Sequence, residues 1–217
     1  GTLPKDKFNK SNVRFNGTRN LLKNLSTSFA ISYAQARANQ TTSTGFYDQM
    51  LQSPGNLPIT SFKDWKNDPF ADPSGYPNAY YTNPYFSIDN FRENVRNDYF
   101  TGSWDLKYSP AKWVDLTYRV GFNSRNNTRK SYSDVYKFND YIKTRPEIGA
   151  YKRTDVVGSV TDGAIYTGRI TNEFQASFKK TVNDFNFNLV AAAFMRQDRT
   201  KTMESSVSGL VQPGLFN

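Results

Sequence analysis

The sequence predicts an all-β protein, an antiparallel sheet of about six strands in three hairpins. Three observations carry that reading. Apolar and aromatic residues recur at every second position over long stretches, which is the period of a strand. They are largely β-branched or aromatic, and they avoid the i, i+3, i+4 spacing of an amphipathic helix. Turns of three or four residues alternate with connections of about 61 residues (38–98) and 41 residues (124–164).

In the first hairpin Val13, Phe15 and Gly17 alternate with Arg14, Asn16 and Thr18. After Leu22-Lys23-Asn24, the residues Leu25, Thr27, Phe29, Ile31 and Tyr33 share one face and Ser26, Ser28, Ala30, Ser32 and Ala34 the other. In the second, Phe100, Gly102, Trp104, Leu106 and Tyr108 interleave with Thr101, Ser103, Asp105 and Lys107. Ser109-Pro110-Ala111-Lys112 makes the turn, and Val114, Leu116, Tyr118, Val120 and Phe122 return. In the third, Tyr166, Ile170, Phe174, Ala176 and Phe178 run to a turn at Thr181–Asp184, and Phe185, Phe187, Leu189, Ala191, Ala193 and Met195 lead back, with a tail from Asp198.

The composition narrows the class. The 217 residues carry 28 Lys+Arg against 19 Asp+Glu, a net charge of +9. A hydrophobic content of 37% and a mean hydropathy of −0.72 taken alone describe a solvated chain. Seventeen Phe, 14 Tyr and three Trp oppose that, because disordered segments are poor in aromatics. With no Cys and no His there is no disulfide, thiolate or imidazole metal site, and no Ser-His-Asp triad. No catalytic residue, metal ligand or cofactor is expected. No run of roughly 18 apolar residues encodes a transmembrane helix, and Gly1 to Lys10 lacks the apolar core of a signal peptide. A membrane β-barrel, however, hides its apolar face in alternate residues.

Short turns at one end, long connections at the other, and strands apolar on one face only together predict a segment of an antiparallel transmembrane β-barrel. The short turns would be periplasmic and 38–98 and 124–164 extracellular loops. The polar face is rich in Ser, Thr, Asn, Gln, Ala and Gly, unlike the Lys/Glu-rich surface of a soluble sandwich. Tyr108, Phe178 and Phe185 near the short turns, and Tyr33, Phe100, Phe122 and Tyr166 toward the long loops, match two aromatic girdles. Trp113 breaks parity, falling on the polar face beside a turn. Six strands cannot close a membrane barrel, so residues 1–217 are expected to be part of a larger one.

The segment Thr82-Asn83-Pro84-Tyr85-Phe86-Ser87-Ile88-Asp89-Asn90, followed by Arg96 to Tyr108, resembles the barrel of SusC/RagA-like TonB-dependent transporters of Bacteroidetes. Lys112 to Gly121 is similar to that family's strand after a Trp-bearing periplasmic turn, and Asn12 to Gly17 with Leu25 to Tyr33 to an earlier hairpin. The resemblance covers roughly residues 10 to 195, and Phe86 stands where the family usually has Trp. It implies a barrel of about 22 strands in the outer membrane of a Gram-negative bacterium. It also implies a SusD-like surface lipoprotein, energisation by TonB-ExbB-ExbD through a plug and TonB box not visible in this chain, and import of oligosaccharides or oligopeptides. The alternatives are a soluble or secreted β-rich glycan-binding protein and a passive porin.

Two groups of residues are candidates for function. Trp65, Tyr76, Tyr80, Tyr81, Tyr85 and Phe86 in the first long connection offer aromatic faces to a substrate or partner; the competing and favoured reading is that they pack the loop's own core. Arg14, Arg119, Arg169 and Arg196 on the polar faces would line the lumen, where pairing with Asp115, Glu173 or an absent plug is the favoured role. Asp105 and Asp115 are expected to face each other across the second hairpin. Arg125, Arg129 and Lys130 are expected either to edge a solvated loop or to meet lipopolysaccharide phosphates or an acidic partner. The first connection has net charge −3 and the second +3, so no basic stripe for nucleic acid emerges.

Overall fold

The computed structural model describes residues 3–78, 80–144 and 153–216. Six strands, β1 (Lys7–Leu22), β2 (Leu25–Thr41), β3 (Phe91–Ala111), β4 (Val114–Tyr136), β5 (Val156–Val182) and β6 (Phe185–Ser208), form one sheet in sequence order. Each is antiparallel to the next. The expected three hairpins are present, with turns tightened to Lys23-Asn24, Lys112-Trp113 and Asn183-Asp184. The register slips beside the first two, between Asn20 and Leu22 and between Tyr108 and Ala111; such irregularities increase the local twist and fit the chain to a tight reversal. Pro110 sits inside the second slip, where it forfeits no ladder bond. The third turn instead places Asn183 at φ 53°, a conformation that asparagine tolerates better than most residues.

The strands run well beyond the alternating segments. Residues 38–41 and 91–98 continue β2 and β3, so the first connection is a loop only over 42–90. Residues 124–136 and 156–164 extend β4 and β5, β6 passes Asp198 to end at Ser208, and residues 145–152 of the second connection lie outside the described residues. In these extensions polar residues occupy both faces, with Asn39 opposite Asn94, Arg37 opposite Arg96 and Lys130 opposite Asp162. The backbone ladder persists where the apolar period has vanished.

Register sorts the side chains into two faces. One is apolar: Phe29 lies opposite Trp104 and Trp104 opposite Val120, while Ile31, Gly102, Phe122 and Ile170 make the adjacent row. Among the described residues no second layer covers it, and Phe29, Ile31, Trp104, Phe122, Ile170 and Phe174 are each 36–46% exposed. Polar atoms on this face find partners within it. Trp104 Nε1 donates to Thr27 Oγ1 (2.8 Å), Thr27 Oγ1 to the Asp105 carbonyl (3.1 Å), and the Tyr118 hydroxyl to Asn172 Oδ1 (2.7 Å). Trp113, expected on the polar face, lies in the turn and stacks on Phe178 of the apolar face, ring centroids 6.4 Å apart. Leaving the strand frees it from parity.

The sheet is sheared. One row passes from Leu25 through Tyr108, Leu116 and Ala176 to Ala191. Leu25 opens β2, whereas Ala176 lies six residues before the end of β5 at Val182, about 20 Å of strand. The midlines of the first and third hairpins are four strand spacings apart, about 19 Å. With the short turns at one level, the strands lean by about 45°, at the steep end of the range for membrane barrels.

Both clusters of buried apolar residues among the described residues lie in the connections. Phe62, Ala71 and Tyr76 form one, against Leu57, Trp65 and Tyr85; Phe86, Phe138 and Ile142 form the other, against Trp65, Phe91, Tyr136 and Val156. Short helices α1 (Phe46–Leu51), α2 (Pro84–Asn90) and α3 (Asp140–Thr144), with three 3-10 turns between α1 and α2, bring these residues together.

Candidate functional site

The polar face carries a set of cross-strand ion pairs. Arg119 on β4 lies between two carboxylates of its own row, Asp105 on β3 (2.5 Å) and Glu173 on β5 (3.6 Å). Arg169 and Arg196 share Asp198, each at 2.6 Å. Arg14 stands in the row that ends at Arg169 and Asp198, and has no ion-pair or hydrogen-bond partner among the described residues. All four arginines thus share one face. Three are paired, through Asp105, Glu173 and Asp198. Asp115 is bound instead to Lys179 (3.2 Å) and the Ser109 hydroxyl (2.6 Å). Asp105 is opposite Arg119, so the expected Asp105–Asp115 pair does not form; the same register, continued toward the turn, sets Asp115 against Ser109.

Above the strands, Asn83 organises the first loop. Its amide is fully buried and uses both ends: Nδ2 donates to the carbonyls of Phe62 (2.8 Å) and Ala71 (2.6 Å), and Oδ1 accepts from the Tyr85 N–H (2.9 Å). Asn83 is also the N-cap of α2, with Pro84 in the first turn. Phe86 is thereby driven into the core, edge-on to Trp65 at 5.0 Å, while Trp65 Nε1 donates to Asp89 (3.0 Å). Tyr136 at the end of β4 closes the loop onto the sheet, donating to Asp72 Oδ2 (2.9 Å). Burial, reinforced by the Asp72 carboxylate and only partly opposed by Ser74, pushes its phenol up to about 12.

Of the aromatic candidates, Trp65, Tyr76 and Phe86 pack inside the loop, Tyr85 flanks the first cluster, Tyr81 is half-buried and Tyr80 is 55% exposed. Tyr47, Phe70 and Tyr141 join Tyr80 as exposed loop rings. Asp198 and Glu204 escaped sequence reading because Arg169, which Asp198 also accepts from beside its strand neighbour Arg196, and Arg129, the partner of Glu204, lie on other strands. Asn83 entered the sequence analysis only within the segment that carries the family resemblance; its roles as the cap of α2 and as a buried hub come from the fold.

A sheared antiparallel sheet with one uncovered apolar face and one ion-paired polar face is a piece of β-barrel wall. The comparisons agree on the fold. No protein-family model matches the sequence, and no curated protein does. Two solved structures, "Structure of the RagAB peptide transporter" and "Structure of the RagAB peptide importer in the 'closed-closed' state", superpose with TM-scores of 0.64 and 0.63. Each is 14% identical over 96% and 97% of this chain, which spans 22% of the length of those chains.

Proposed function

We propose that this chain is part of the barrel wall of an active importer in the outer membrane of a Gram-negative bacterium, SusC-like in design, with oligosaccharides or oligopeptides as cargo. The observation that carries the membrane reading is the uncovered apolar face. Rows of Phe, Ile, Leu, Val, Trp and Tyr run across six strands with no layer of the described residues upon them, far more contiguous apolar area than a water-soluble surface sustains. The internal pairing of the Trp104 and Tyr118 polar atoms suits a lipid-facing surface, and so does the strand lean. That same face disfavours a soluble glycan-binding protein.

Import rather than passive diffusion is supported by the resemblance of the Asn83 segment and its following hairpin to SusC/RagA-like barrels, and by the fold's likeness to a peptide transporter. In this reading the polar face lines the lumen and its arginines set the local field. The loops, already packed around Asn83 and Phe86, present a firm rim to a SusD-like lipoprotein, and TonB-ExbB-ExbD supplies energy through a plug. No catalytic role is proposed.

The test is the mass of the intact polypeptide in a detergent-solubilised outer-membrane preparation, with the masses of whatever co-purifies. A species near or above ~100 kDa containing these peptides, with a lipoprotein in comparable amount, supports the importer. A free species of 24.8 kDa in the soluble fraction overturns it.

A further inference from the structure

The apolar face does not stay apolar to the ends of its strands. Two residues above Tyr33 and Phe100, which face each other, come Gln35 and Asp98, and two residues higher Arg37 and Arg96 are directly opposed. Following the same face across the sheet adds Lys7, Lys130, Arg199 and Lys201. Against these six cations stand Asp98 and Asp162. Asp98 is engaged by Arg96 (2.8 Å) and by the Tyr33 hydroxyl (2.6 Å), and Asp162 by Lys130 (3.6 Å). Arg37, Lys7, Arg199 and Lys201 have no ion-pair partner among the described residues. Like charges on directly opposed residues destabilise a sheet, and Arg37 opposite Arg96 is such a pair with only one member neutralised.

We infer that this band binds the phosphorylated headgroup of an outer-leaflet glycolipid, with Arg37 and Arg96 as the paired phosphate donors. The inference rests on the membrane reading above. Three features select this occupant. The cations continue the lipid-facing side and not the lumenal one. They begin within about 13 Å of strand beyond the Tyr33–Phe100 row, where acyl chains give way to headgroups. Two guanidiniums side by side match the geometry of phosphate oxygens. Of the three basic residues at the end of the β4 alternation, register divides the roles: Lys130 belongs to this face, while Arg125 and Arg129 are on the other, bound to Asn97 and Glu204.

The test uses the intact parent barrel in detergent, titrated with bisphosphorylated lipid A and with dephosphorylated lipid A of the same acyl composition, and read by native mass spectrometry. Arg37→Glu should weaken bisphosphorylated lipid A at least about tenfold, Arg37→Gln less, and neither should alter the dephosphorylated lipid. Arg125→Glu, on the opposite face, should leave both unchanged. Equal affinity for the two lipids, or equal losses in the Arg37 and Arg125 variants, overturns the inference and leaves the barrel reading intact. A parent protein that stays in solution without detergent overturns both.

Discussion

Arg129 on β4 reaches Glu204 on β6 at 2.6 Å by passing over Gly163, the β5 residue that stands between them. A Cβ at Gly163 would lie 2.9 Å from Arg129 Nε and 3.1 Å from its Cγ. The missing side chain is therefore what lets an ion pair span three strands. Gly163→Val is expected to abolish the coupling between Arg129→Ala and Glu204→Ala in a double-mutant cycle on the refolded parent barrel. The total stability change should stay within about 1 kcal/mol, because both groups are half-exposed.

The two faces make opposite predictions for one substitution. Ile31 lies in the middle of the apolar face and its neighbour Ser32 on the polar one. Ile31→Arg should cost about 2–4 kcal/mol of folding into phospholipid vesicles and Ser32→Arg less than about 1. Equal tolerance of both would be incompatible with a lipid-facing surface.

Asn83 predicts a local collapse. Asn83→Ala leaves the Phe62 and Ala71 carbonyls without their donor in a buried site, at a cost of about 2–4 kcal/mol to the loop. Asn83→Asp keeps the cap but turns a carboxylate oxygen on those carbonyls, and should be at least as damaging. Limited trypsin digestion at Lys63 and Lys66 reads both, with the strands of the barrel remaining intact.

Tyr136 predicts a pH effect with a definite sign. Its phenol titrates near 12 in the fold, against about 10 for an unfolded tyrosine. The stabilisation from keeping it neutral is complete below pH 10 and is lost as pH rises toward 12. Absorbance at the phenolate band should show one tyrosine fewer ionising between pH 10 and 11 in the parent barrel than in its Tyr136→Phe variant plus one free tyrosine. Tyr136→Phe should loosen residues 72–74 by about 1 kcal/mol in hydrogen exchange, through loss of the bond to Asp72.

Six strands, their pairing into hairpins and their two faces were legible because alternation is a local property: Phe29 and Ile31 declare their face from their own neighbours. Arg14, Arg119, Arg169 and Arg196 could be assigned to one face on the same ground. What holds Arg169 could not, since Asp198 on β6 meets it only once β5 and β6 are in register.

The sequence by itself determined that this chain is a one-sided apolar sheet, because a period of two over ten residues leaves the backbone no other way to gather its aromatic residues. The tertiary structure alone decided where the strands end, which carboxylate meets which arginine, and that Trp65, Tyr76 and Phe86 face inward while Tyr80 faces out. Those outcomes depend on contacts between residues far apart in the chain. In the extensions beyond Tyr33 and Phe100 both faces are polar, so only the neighbouring strand, and not the hydrophobic pattern, holds the backbone extended.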